Sequence, residues 1–254
     1  PALLFQSILR TPISLTTAAD IFLATAATAL IGIVLSWLAM PVLRASAVSM
    51  ASASQCGYRF NTYIGLSLAP MIAGAIGQST MALIVGFAVP IVNFAAVYAL
   101  ARLNGSNFVG ALLRNPLLMT TVIAVLCNLA GLQLPGPIDT LLARLGAAAV
   151  ALGILCVGAS LLWEPGQTKF SLVAWILSVK LIALPACAWM ISRWLKLNPV
   201  EMQMLVLFAS LPTASAAYVM AVRMGGDGRL VGLIISLGTP LSALTIPLWL
   251  LWIA

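Results

Sequence analysis

Histidine is absent from the 254 residues, and only five carboxylates are present: Asp20, Asp139, Glu164, Glu201 and Asp227. The first absence removes Ser-His-Asp and Cys-His arrangements and the usual nitrogen ligands of zinc. The second removes a carboxylate relay. Each acid falls in a loop or at the edge of an apolar run, so none stands mid-membrane to pass protons or hold sodium. The four cysteines, Cys56, Cys127, Cys156 and Cys187, lie singly inside apolar runs, where small buried hydrophobes sit. No phosphate loop, dinucleotide fingerprint or aromatic-interleaved basic patch occurs. A Ser–Lys nucleophile would have to use Lys180, and Ser178 is too close in sequence to face it on a helix. The sequence therefore reads as no enzyme, with no cofactor, no metal and no nucleic-acid partner.

What is present is apolar. The chain is 63% hydrophobic and 7% charged, more apolar than a soluble domain can hide. Several charge-free windows reach the roughly 20 residues a helix needs to cross a bilayer. The net charge of +7 sits mostly between these windows, as anchors at the lipid bilayer. The expected fold is an all-α polytopic membrane protein with about eight full transmembrane helices. The chain starts inside an apolar run, so 1–9 reads as the tail of a span whose start is missing. Further spans are expected at 21–43, 45–76, 78–101, 115–134, 145–163, 170–192, 202–222 and 230–254, with 102–114 joining two halves.

Two spans carry polar interruptions. Arg59-Phe60-Asn61-Thr62-Tyr63 breaks the span at 45–76, and Leu211-Pro212-Thr213-Ala214-Ser215 breaks the stretch 202–225. An offset of 151 residues sets Asn61 on Pro212, Gly74 on Gly225 and Gly77 on Gly228, with Pro90 one residue from matching Pro240. A repeated, broken apolar segment is the mark of a transporter built from two halves. Five spans per half is odd, so the second half enters from the opposite side and the repeat is inverted. Lys and Arg in short loops divide six to four. Arg44, Arg102, Arg114, Lys169, Arg223 and Arg229 face Arg10, Arg144, Arg193 and Lys196. The larger set marks the cytoplasmic face of a cell inner membrane and puts Ala254 outside.

Arg59 costs about 2.5–3.5 kcal/mol at a helix centre on insertion scales. It either lines an aqueous cavity that admits an anion or snorkels to a headgroup. Asn61 and Thr62, with Tyr63 beside them, either bind a solute at the break or bond to a neighbouring helix. Pro212 cannot donate and kinks its helix. Thr213 and Ser215 are expected to cap the half-helix after it and, with Asn61 and Thr62, to bind the anion, while Pro212 holds the break open. Two half-helices starting at the breaks would present free N–H groups to an anion. Lys180, one turn before Pro185, is either a charge partner for that site or a contact for carbonyls the proline frees. Asn93 and Asn128 read as interhelical hydrogen bonders.

Phe60-Asn61-Thr62-Tyr63-Ile64-Gly65, Arg114-Asn115-Pro116, Gly158-Ala159-Ser160-Leu161 and Leu211-Pro212-Thr213-Ala214-Ser215-Ala216-Ala217-Tyr218 together resemble the auxin efflux carrier family. Its bacterial branch contains malonate or malate permeases, and the plant PIN exporters and bile-acid sodium symporters are distant relatives. The resemblance implies inverted five-helix repeats whose broken helices cross at the substrate site, here at Asn61-Thr62 and Pro212-Thr213. It implies a scaffold domain (1–9 and 115–163) and a transport domain (21–101 and 170–254), and it is consistent with a homodimer. Phe60 stands where the plant pattern has proline and the long central loop is reduced to 102–114, which argues against auxin as substrate. The expected function is secondary transport of a small organic anion, malonate or malate, by alternating access. The rivals are a sodium-coupled symporter and a non-transporting membrane subunit or sensor.

Overall fold

The computed structural model describes residues 2–10, 15–104, 116–159 and 170–253. Every element among them is helical: α1 (Ala2–Arg10), α2 (Leu15–Trp37), α3 (Ala39–Leu43), α4 (Ala47–Tyr58), α5 (Thr62–Asn104), α6 (Pro116–Leu129), α7 (Gly136–Ala159), α8 (Phe170–Ser178), a π-helical turn (Val179–Ala183), α9 (Leu184–Trp194), α10 (Pro199–Ser210), α11 (Ala216–Arg223) and α12 (Gly228–Ile253). Among the described residues, four stretches are long and apolar enough to cross a membrane: Ala19–Leu43, Ala47–Arg102, Phe170–Trp194 and Gly228–Ile253. Pro199–Ser210 is a shorter apolar helix. Most of the joint at 102–114 lies outside the described residues, as do Ser160 and Lys169.

Local chemistry sets the boundaries. Ser46 starts α4, its hydroxyl accepting from the Ser49 N–H. Asn198 and Glu201 form a reciprocal capping box on α10 at 3.0 Å each way, with Pro199 at the first helical position. Asp227 caps α12 by accepting from the Leu230 N–H at 3.0 Å. The long helix α5 turns sharply at Ala73 and Gly74, where Gly74 has φ +57°. Gly225, its partner at the 151-residue offset, has φ +65°. Both turns follow the second half of an interrupted helix, and both use the left-handed region that only glycine enters freely.

The helices α2, α5, α9, α10 and α12 enclose the main core, with Met81, Ile84, Leu184, Met204 and Phe208 fully or nearly buried. A second cluster joins α4, α8, α11 and α12. Helix α1 packs against both α6 and α7, and all three pack on α5. There the Asn128 amide donates to the Ile8 and Leu9 carbonyls (2.8 and 3.0 Å), and Gln6 donates to Asp139 at 2.8 Å. Asn128 is thus an interhelical bonder, as expected, and Asn93 is buried.

One boundary and one stretch of helix differ from expectation. Helix α7 begins at Gly136, not 145, because Pro137 suits a first turn and Asp139 favours a helix N-terminus. The run at 170–192 contains a π-helical turn around Lys180. It arises where Pro185 lacks an N–H for the preceding turn. The freed carbonyl of Leu181 is taken by the Trp249 indole N–H at 2.9 Å, not by Lys180.

Candidate functional site

The two interruptions touch. Tyr58 ends α4, and Arg59 is extended (φ −75°, ψ 152°), so the chain leaves the helix for three residues before Thr62 restarts it. Leu211 ends α10 in the same manner (φ −59°, ψ 140°), and helix resumes at Ala216. The Asn61 N–H donates to the Pro212 carbonyl at 2.8 Å. The Thr213 hydroxyl donates to the Cys56 carbonyl at 2.7 Å. That carbonyl needs a partner because extended Arg59 carries the Phe60 N–H out of helical register. Phe60 and Phe208 meet edge to face with centroids 4.6 Å apart. Close approach is permitted by Gly65, where an added Cβ would stand 2.7 Å from Leu211 Cδ1.

Each expected residue has a definite place. Asn61 is buried, and its side-chain Oδ1 accepts from the N–H groups of Tyr63 and Ile64 (3.1 and 3.2 Å). It is the N-cap of the restarted helix, and its Nδ2 has no acceptor among the described residues. Thr62 and Tyr63 are half-buried. Arg59 does not snorkel: it is only 6% exposed, and its Nη1 donates to Gln55 Oε1 (3.0 Å) and Met220 Sδ (3.5 Å). The guanidinium thereby ties α4 to α11 across the crossing and meets no carboxylate among the described residues. Its position at the C-terminal end of α4 also suits a cation.

One expectation fails. Neither Thr213 nor Ser215 caps α11. The Thr213 hydroxyl is committed to Cys56, and Ser215 is already in helical conformation (φ −58°, ψ −26°) with no side-chain cap bond. The start of α11 is closed by backbone turns instead, Ala217 N–H to Ala214 O and Tyr218 N–H to Ser215 O (2.9 and 3.1 Å). This leaves the N–H groups of Thr213, Ala214 and Ser215 without an acceptor among the described residues. Three successive N–H groups ahead of a helix suit an anion.

Lys180 is buried, with no hydrogen-bond partner for Nζ among the described residues. Its π-helical turn packs on both α4 and α10, the helices that lead into the interruptions. Gln55 was not singled out by the sequence, although its spacing of four from Arg59 is the signal for a same-face pair. Its Nε2 is buried and also unpartnered. Met220, the other contact of Arg59, has no sequence signal, because a thioether among apolar residues reads as core.

A family model described as membrane transport protein matches residues 101–250. A protein of Rhizobium meliloti (strain 1021) named "Putative malonate transporter" is 25% identical over 258 residues, covering 97% of this chain and 81% of its own length. An uncharacterized transporter of Methanothermobacter thermautotrophicus is 30% identical over 146 residues, covering 58% of this chain and 48% of its own.

Proposed function

We propose that this chain, which belongs to the membrane transport protein family, is a secondary carrier for a small organic anion, a mono- or dicarboxylate such as malonate or malate. The observation that carries the reading is the bond between the two interruptions, Asn61 N–H to Pro212 O at 2.8 Å. A helix breaks inside an apolar run only where something else satisfies its backbone. Here the breaks satisfy each other in part and leave Thr213, Ala214 and Ser215 N–H groups over. The name of the Rhizobium relative supports the substrate class.

In this reading Arg59 draws the anion to the crossing, with Lys180 as a second cation from behind. The Nδ2 of Asn61, the hydroxyls of Thr62 and Ser215 and the free N–H groups bind carboxylate oxygens. Tyr63 flanks the site, Pro212 holds the break open, and Thr213 positions the two breaks against each other. The two halves are inverted repeats, supported by the paired glycines Gly74 and Gly225 at matching turns. The transport domain (21–101 and 170–254) moves against the scaffold (1–9 and 115–163) to alternate access. The packing of α1 on both α6 and α7 supports that division, with α5 as the surface all three share. The protein works in the inner membrane, with its C-terminus outside.

Protection of a cysteine tests the site. In full-length protein stripped of native cysteines, Ser215→Cys is reacted with a small thiol reagent. Malonate at about ten times its Kd should slow labelling about tenfold, because the occupied fraction shields the thiol. Labelling that ignores malonate and other organic acids would remove Ser215 and its neighbours from the site.

A further inference from the structure

A cavity of about 910 Å³ opens between α2, α4 and the second half of α5, away from the crossing. That is near the upper end of the ~300–1,000 Å³ usual for small-molecule pockets. Its walls include Leu30, Trp37, Ala51 and Phe94, and it ends at Tyr98 and Arg102. Leu30, Phe94 and Tyr98 are about half exposed, so the groove opens sideways on an apolar surface. Among its described lining residues, Arg102 is the one charged group. The guanidinium lies 5.5 Å from the centroid of the Tyr98 ring, and no carboxylate meets it among the described residues.

Two more arginines adjoin, along the chain, residues on or beside the groove wall. Arg44 lies three residues before Ala47, which also lines the groove. Arg223 adjoins Met224, which packs with Ala51 and Leu100. The acid of that turn, Asp227, spends Oδ1 on the cap of α12. An apolar slot with a basic end at one membrane face matches the chemistry of a lipid with an anionic headgroup. A neutral lipid would leave the basic end unmatched. A soluble anion would have no use for the slot. A second copy of this face would bring more arginine.

We propose that this groove binds an anionic phospholipid, its acyl chain along Leu30, Phe94 and Ala51 and its phosphate at Arg102. The site is distinct from the crossing. The chain would lie on Ala47 and Ala51, on the half-helix that ends at Arg59, so the lipid would brace one limb of the interrupted helix.

The test uses the full-length protein in mixed micelles with phosphatidylglycerol or phosphatidylcholine of matched chains, read by melting temperature and by native mass spectrometry. Phosphatidylglycerol should raise the melting temperature above the phosphatidylcholine value and should be retained preferentially. Arg102→Gln should erase the preference, and Ala95→Trp, which fills the groove, should lose retention of both lipids. Equal effects of the two lipids on the unmodified protein would overturn the proposal, whatever the variants do. So would a preference that survives Arg102→Gln, or the same stabilisation by glycerol phosphate alone, which would indicate a soluble-anion site. A dimer that Ala95→Trp dissociates would assign the face to a second copy instead.

Discussion

The Asn61 Oδ1 caps the restarted helix; in the proposed site its Nδ2 binds the solute, and the two roles can be separated. Asn61→Ala removes both. It should lower stability by about 1 kcal/mol, the usual worth of a cap, and abolish transport. Asn61→Asp keeps the acceptor but replaces the amide donor. It should hold its melting temperature close to the unmodified protein while uptake of an organic anion falls at least about tenfold, the equivalent of ~1.4 kcal/mol. An Asp variant that transports normally would reduce Asn61 to a cap. Thr213 is the opposite case, with its one hydroxyl committed to Cys56. Thr213→Val should cost about 0.6–1.7 kcal/mol, the range for polar contacts between membrane helices, and Thr213→Ser should recover most of it in a thermal-melt assay. The sequence singled out both residues as polar groups in an apolar run. It assigned Thr213 to the wrong bond, because its acceptor is a carbonyl freed by a break 157 residues away.

At the scale of elements, the interruptions were legible and the π-helical turn was not. A run such as Arg59–Tyr63 announces itself by cost: polar groups in hydrocarbon need a reason. Pro185 announces only that a carbonyl is freed, not what accepts the vacancy. The structure fills it with the Trp249 indole from α12, 68 residues on. A double-mutant cycle tests this. Trp249→Phe should destabilise by about 0.6–1.7 kcal/mol. In a Pro185→Ala background, where residue 185 regains an N–H for Leu181, the same change should cost less; equal costs in both backgrounds would deny the exchange. Helix turns make a second prediction. A Cβ at Gly226 would stand 2.5 Å from Ser52 Oγ and 3.2 Å from the Ala221 carbonyl, so the Ser52 hydroxyl has to shift from its bonds to the Val48 carbonyl and the Asp227 N–H. Gly226→Ala should therefore cost about 1–3 kcal/mol in a melt assay, whereas Gly136→Ala, with open space around it, should not.

For the whole molecule, direction follows from contacts between distant helices. The Trp175 indole bonds the Leu35 carbonyl at 2.9 Å, and a Cβ on Gly32 would touch Leu184. So α2 runs against α8 and α9, which puts Arg44 and Arg193 at opposite ends. In a cysteine-free background, an impermeant maleimide applied outside intact cells should label Arg193→Cys and spare Arg44→Cys, as the loop charges require. The reverse pattern would invert the assigned topology. That a bilayer is this chain's solvent could be read from composition alone. The crossing at Asn61-Thr62 and Pro212-Thr213 was implied by the family resemblance, and Asn61 does bond Pro212. Hidden from both was the role of Arg59, which reads as a solvated cation in one dimension but is held between Gln55 and Met220 in three. An organic-anion site at the crossing is tested by uptake of labelled malonate into proteoliposomes of the full-length protein, with and without sodium and a pH gradient. Uptake should be saturable and should fall at least about tenfold in Asn61→Asp, a protein that still folds. Uptake equal in both proteins, or none for malonate and a panel of related acids under every gradient, would contradict it.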